Sequence, residues 1–249
     1  MNFFSLYKRK FLYELTKKTN IDHHSNFKDQ NLEQIFSYYG TDKAKFFNKG
    51  KNKGHGFTKH YVEHLSKLKK KKINILEIGS YSGASAAAFS KYFEFSKIFC
   101  LDINISNFKF TSKNIQVFGL DISQEKMVNK FFDKIDAQRS EQFFDIIIDD
   151  GSHKLSDILI AFKSLFNNLK KGGFYVIEDF KFPNYFEHLN DVNHEKIDSM
   201  LSNLKSKKIF NSNYFDNNIQ SKLHHTINNI NIHKGSSNHS DIVFIEKNV

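Results

Sequence analysis

From Ile73 to Asp179, short apolar runs alternate with helix-length segments, and this alternation constrains the fold more than any other feature of the chain. A strand, a helix and another strand in succession make a parallel pair joined by a crossover, so a series of such units predicts a mostly parallel sheet. "INILEIG" (Ile73 to Gly79) reads as the first strand and "ASAAAFSKYF" as the helix after it. "KIFCLDI" and "IQVFGLD" are the second and third strands, followed by the helix "SQEKMVNKFFDKI". "FFDIIID" is the fourth strand, "SDILIAFKSLFNNLKK" a helix and "GGFYVIED" the fifth strand. Beyond Pro183, the only proline, the pattern loosens. There "HEKIDSMLSNLKS" predicts a helix, "KLHHTINNINIHK" a strand and "DIVFIEK" a last strand paired with it, with Asn228 to Ser240 forming a hairpin with a polar connection. At 249 residues the chain suits one large α/β domain, read as residues 36–249 behind an N-terminal helical extension over 1–35.

The net charge of +10 suggests an acidic partner, but of the 37 basic residues only Arg9 and Arg139 are arginines. Base readout and bidentate phosphate contacts favour arginine, so specific nucleic-acid binding is not expected. The run from Lys67 to Lys72 reads as a solvated helix end, where cations complement the helix dipole. Near the N-terminus Phe4, Tyr7, Phe11 and Leu15 share one helical face, expected to pack on the chain's own domain or a sister subunit rather than on a membrane surface. Lys8, Arg9 and Lys10 interrupt any signal-peptide core, and no apolar run approaches the roughly 20 residues of a membrane span. Cys100 is the only cysteine, which excludes an intrachain disulfide and points to a reducing cytoplasm.

The first strand leaves into "EIGSYSGAS", which sets Glu77, Gly79, Ser80 and Gly83 at a strand-to-helix turn. Glycines there let the backbone approach a ligand and adopt positive φ. Asp102 ends the second strand, 23 positions after Gly79, at about the place where open α/β sheets receive ribose hydroxyls. A nucleoside cofactor follows. NAD would need a pyrophosphate cradle, yet Tyr81 stands where its middle glycine belongs, and the Tyr-x-x-x-Lys pairs, Tyr13/Lys17 and Tyr39/Lys43, both precede the turn. S-adenosylmethionine carries no phosphate, and Glu77 suits its cationic end, so a methyl donor outranks a dinucleotide.

The fourth strand ends on Asp149 and Asp150 and the fifth on Glu178 and Asp179, two acidic pairs on the carboxyl edge where such sheets bind ligands. Several carboxylates meeting there make a site for a hard cation, Mg²⁺ by preference. Read alone, Asp150 serves equally as a helix cap and Glu178 as an ordinary acidic strand end.

Four segments, "YGTDKA…GHGFTKHY", "ILEIGSYSGAS", "FDIIIDDGSH" and "GGFYVIED", together resemble the metal-dependent sugar O-methyltransferases that act on macrolide antibiotics, and the related cephalosporin-hydroxylase-like proteins. The resemblance spans Tyr38 to Asp179. It implies a Rossmann-like class I methyltransferase fold: a seven-stranded, mostly parallel sheet with an antiparallel last strand and helices on both faces. It also implies S-adenosylmethionine and Mg²⁺ as cofactors, Asp150, Glu178 and Asp179 as the metal ligands, and His153 as the general base that deprotonates a hydroxyl on a sugar or glycosylated small molecule. Asp121 stands where such enzymes bind the adenine amino group, although it could equally cap the following helix. Thr41 and its neighbours would fold over the donor, or form a simple surface turn. His55, His60 and His64 lie near the upstream motif, as substrate contacts or as solvated and core histidines. The chain departs from the resembled proteins in its short N-terminus and in the unfamiliar region from Phe182 to Asn218. The alternatives are an NAD-dependent oxidoreductase and a non-catalytic, lysine-rich module associated with nucleic acid.

Overall fold

The structure, a computed structural model, describes residues 3–24, 27, 29–48, 50–135, 137 and 142–248; Arg139 and the side chain of Phe4 lie outside the described residues. The chain divides into two compact units, residues 1–121 and 122–249.

The first unit carries helices α1 (Phe3–Leu15), α2 (Leu32–Tyr39) and α3 (Thr58–Leu65), then strand β1 (Lys72–Ile78), helix α4 (Ala84–Tyr92) and strands β2 (Phe95–Asp102) and β3 (Ile115–Gly119). β2 pairs in parallel with both β1 and β3, the arrangement a βαβ crossover imposes. Helix α2 starts at a capping box, in which Asn31 accepts from the Gln34 amide and the Gln34 side chain accepts in return from the Asn31 amide. Phe36 of α2, Tyr61 of α3 and Phe89 of α4 meet edge to face at centroid distances of 5.3–6.1 Å, and the buried Ala86, Ala87 and Ala88 make α4 slim enough to sit deep in this core. Cys100 is buried in β2, and loss of solvation pushes its thiol well up, so it holds its proton and offers no thiolate.

The second unit carries α5 (Glu125–Lys134), β4 (Phe144–Asp149), α6 (Leu155–Leu165), β5 (Leu169–Glu178), α7 (Ile197–Lys205), α8 (Asn217–Thr226), β6 (Ile227–Lys234) and β7 (Asp241–Lys247). β4 and β5 are parallel, β7 is antiparallel to β5, and β6 is antiparallel to β7. Phe162 of α6 packs edge to face on Tyr175 of β5 at 5.1 Å, which clamps the helix over the strands that end in the acidic pairs. The expected mostly parallel sheet with a reversed last strand is thereby present: the sheet has seven strands, and β7 runs against its neighbours β5 and β6.

Two expectations need correction, and a third keeps one of its two alternatives. The segment read as one strand, "KLHHTINNINIHK", is half helix: Asp216 caps α8 by accepting from the Ile219 amide, Gln220 and Leu223 are buried at helical spacing, and the strand begins only at Ile227. β5 begins at Leu169 rather than Gly172, because a register shift opposite Phe144–Ile146 lets the chain continue as strand while Lys170 reaches Asp145 at 2.8 Å. The face of α1 that bears Tyr7, Phe11 and Leu15 does not pack on the chain's own domain, which leaves the sister-subunit alternative of that expectation. Tyr7, Phe11 and Leu15 are 59–68% exposed, and the helix docks through its opposite side, where Tyr13 lies edge-on to Phe108 and Arg9 donates to the Ile103 carbonyl. Lys67, Lys70, Lys71 and Lys72 are exposed, as expected of a solvated helix end. Among the described residues no helix is long and apolar enough to cross a membrane.

Candidate active site

In the first unit the turn after β1 is built by backbone constraints. Gly79 and Gly83 have φ of 80° and 75°, and a Cβ on Gly83 would fall 2.4 Å from the Phe108 ring, so only glycine fits that position without strain. Tyr81 adopts φ of 42° between them, held by its amide donating to Asp102 Oδ2 at 2.7 Å. Asp102 Oδ1 accepts from the Asn104 amide, so both oxygens are engaged; each keeps a second lone pair for a ribose hydroxyl. Glu77 is buried and accepts from the Ser85 hydroxyl, and Ser80 is buried with its hydroxyl on the Glu77 carbonyl. Asp121 is buried just beyond β3, and the cap position of α5 is Gln124, which makes no side-chain cap.

The two parts of the upstream motif join each other. Amides of His55, Gly56 and Phe57 donate to the carbonyls of Asp42, Ala44 and Lys43, so "GTDKA" and "GHGF" fold as one loop with Thr41 and Lys43 buried in it. His55 stacks on Phe57 at 5.2 Å beside Asp42, His60 is buried near Glu63, and His64 lies part-buried at the end of α3.

In the second unit, Asp150, His153 and Asp179 each bring one ligand atom to within 4.8 Å of the others. His153 Nε2 stands 3.8 Å from Asp150 Oδ1. His153 and Asp179 both have left-handed backbone, φ of 55° and 50°, a conformation that costs a non-glycine residue on the order of 1–3 kcal/mol and collects at sites of chemistry. His153 precedes α6, whose cap position is Lys154, so Asp150 does not cap that helix. Glu178 is buried at the end of β5 and stands outside the three-residue group. The donor set, two carboxylates and an imidazole, fits a hard divalent cation on the carboxylates with the ring nitrogen left for proton transfer.

Asp149 takes a different part from the metal site that its place in the acidic run suggests. It is buried, with Oδ1 accepting from the Gly151 amide at 3.3 Å, and desolvation, aided by the charges of Asp150 and Asp157, pushes its pKa up to about 8. The adjacent aspartates therefore do not repel at neutral pH, because one of them is protonated. The unfolded chain ionises Asp149 near its ordinary value of about 4, whereas the folded chain keeps the proton until about pH 8, so stability falls as pH rises between those values. Asp149→Asn removes this loss. In thermal melts with a chelator present, the variant should gain on the wild type progressively from pH 5 to pH 8, and a gap that stays constant with pH would show the carboxyl to be already ionised.

Residues 76–180 match a family model described as a methyltransferase domain. The matched stretch runs from β1 to just beyond β5. Its relatives include L-olivosyl-oleandolide 3-O-methyltransferase of Streptomyces antibioticus, 35% identical over 134 residues that make up 50% of this chain and 32% of the relative. Mycinamicin VI 2''-O-methyltransferase of Micromonospora griseorubida is 31% identical over 156 residues, 59% of this chain and 35% of the relative. The chain thus spans about a third of the length of these curated relatives. Among solved structures, the MycE methyltransferase of the mycinamycin biosynthetic pathway, in complex with Mg and SAH, superposes with a TM-score of 0.65 at 23% identity, covering 88% of this chain and 55% of that one. The class I methyltransferase fold is therefore that of this chain.

The structure also brings out residues that motif reading passed over. Lys43 is buried within the upstream loop, Lys181 pairs with the buried Asp241 at 3.4 Å, and the segment after Asp179 gathers aromatic rings beside His153. The density of Phe and Tyr in "FKFPNYF" was the available signal, hidden by a composition rich in phenylalanine throughout.

Proposed function

We propose that the protein is an S-adenosylmethionine-dependent, Mg²⁺-assisted O-methyltransferase acting on a hydroxyl of a sugar or glycosylated small molecule. The observation that carries the reading is the closure of Asp150, His153 and Asp179 into one group at the carboxyl ends of β4 and β5, within a methyltransferase domain. In this reading Asp150 and Asp179, with Glu178 behind them, hold Mg²⁺, which when bound lowers the pKa of a coordinated acceptor hydroxyl. His153 takes the hydroxyl proton, and its left-handed backbone turns the ring toward Asp150. The oxygen then forms a bond to the sulfonium methyl as the carbon–sulfur bond breaks, its electrons remaining on sulfur. Glu77, Gly79, Ser80 and Gly83 form the donor's turn, Asp102 receives the ribose hydroxyls, Asp121 the adenine amino group, and Thr41 closes over the nucleoside. The relatives' names describe methylation of sugars on antibiotics, which supports a glycosylated acceptor. The enzyme domain is assigned to residues 36–249 behind the extension over 1–35, in a cytoplasmic setting.

Isothermal titration tests the reading without the acceptor. S-adenosylhomocysteine should bind, and Mg²⁺ should bind in its presence, whereas NADH and DNA should not bind. Tight NADH binding, or strongly salt-dependent DNA binding with no response to S-adenosylhomocysteine, would replace the reading by one of its alternatives. Asp102→Asn should weaken S-adenosylhomocysteine about tenfold or more, the scale of a lost charged hydrogen bond; unaltered affinity would move the ribose elsewhere.

A further inference from the structure

The segment that follows Asp179 leads a chain of rings away from His153. The Phe182 amide donates to the Asp179 carbonyl at 2.9 Å and opens a single helical turn, Phe182–Tyr185, whose second residue is the buried Pro183. The turn is therefore anchored on a member of the acidic group, and proline restricts its backbone. The Phe182 ring lies 4.9 Å from the imidazole of His153, Phe186 lies 5.5 Å from Phe182, and His239 lies 6.0 Å from Phe186. Tyr185 meets His239 edge-on at 4.5 Å and donates its hydroxyl to the Asn238 carbonyl, tying the turn to the β6–β7 connection. Tyr185 and Phe186 are nevertheless 48% and 39% exposed. Burying such faces in water-free contact is favourable, and here they are fixed but uncovered.

We propose that Phe182, Tyr185, Phe186 and His239 form the acceptor platform of the enzyme, binding the C–H face of a pyranose so that one ring hydroxyl reaches His153. This rests on the methyltransferase reading above and names the residues that select its acceptor. The geometry favours a saccharide over a planar phenol. Successive rings are inclined at 48–81°, so no two parallel faces wall a slot for a flat ring. A puckered sugar instead presents axial C–H groups to one aromatic face and hydroxyls to a polar rim, which the exposed His188 and His239 supply.

Saturation-transfer NMR with methyl α-L-rhamnopyranoside as the probe, catechol as the planar comparison, and S-adenosylhomocysteine with Mg²⁺ present, tests the platform. The wild type should transfer saturation to ring C–H protons on one face of the glycoside and bind it more tightly than catechol. Tyr185→Ala/Phe186→Ala should weaken the glycoside about tenfold, the scale of one lost aromatic contact face. Both side chains are partly exposed and neither belongs to the donor's turn, so the variant should stay folded, with at most a small drop in melting temperature, and S-adenosylhomocysteine affinity should stay unchanged. Equal glycoside affinity in the two proteins, no glycoside binding by the wild type, or preference for catechol would each overturn the platform. Failure of S-adenosylhomocysteine to bind would instead overturn the methyltransferase reading, and a glycoside affinity that still depended on Tyr185 and Phe186 would leave the platform standing.

Discussion

Asp150→Ala is expected to reduce methyl transfer by about 10³-fold or more, because several kcal/mol of Lewis-acid stabilisation disappear with a metal ligand. The side chain is part-buried at a strand end, caps no helix and stands in the group with His153 and Asp179, so its loss should leave the fold intact. The circular dichroism spectrum should match the wild type while Mg²⁺ titrated in the presence of S-adenosylhomocysteine no longer binds measurably. Asp150→Asn separates charge from shape: it retains an oxygen ligand but removes the negative charge, and should recover binding only in part. Wild-type Mg²⁺ affinity in the alanine variant would remove Asp150 from the metal site, since the ion would then be held without it.

His153→Ala should cost about 10²–10⁴-fold in rate, the usual range for a general base. Its signature differs from that of Asp150→Ala. Mg²⁺ and S-adenosylhomocysteine should bind as before, so that the loss falls on the chemical step alone. A loss of only a few-fold would assign the proton to another group. The backbone supplies a second check. At φ of 55° His153 occupies a conformation that glycine adopts freely, so His153→Gly should be at least as stable as the wild type while showing the same loss of rate.

The parallel core was legible because strand ends announce themselves: an apolar run closing on a glycine turn or on carboxylates has few other physical explanations. That logic located Gly79, Gly83, Asp102, Asp150 and Asp179 at the carboxyl ends of β1, β2, β4 and β5. It failed beyond Pro183, where "KLHH" carries no period that separates helix from strand, and the cap at Asp216 lies six residues upstream of it. It also treated Asp149 and Asp150 alike, since ionisation depends on burial, which adjacent letters do not show.

The sequence by itself determined the order of strands and helices, the chemistry of the residues at the strand ends and the kind of cofactor they suit, because periodicity and residue type are local properties. Only the tertiary structure decided that Asp150, His153 and Asp179 close into one group while Asp149 keeps its proton in the interior. The same holds for the aromatic rings after Asp179, which line up beside His153, and for Tyr7, Phe11 and Leu15 of α1, which the chain's own domain leaves uncovered. Each of these depends on which groups the fold brings within a few ångströms and which it removes from water, and neither distance nor desolvation is written in the spacing of residues along a chain.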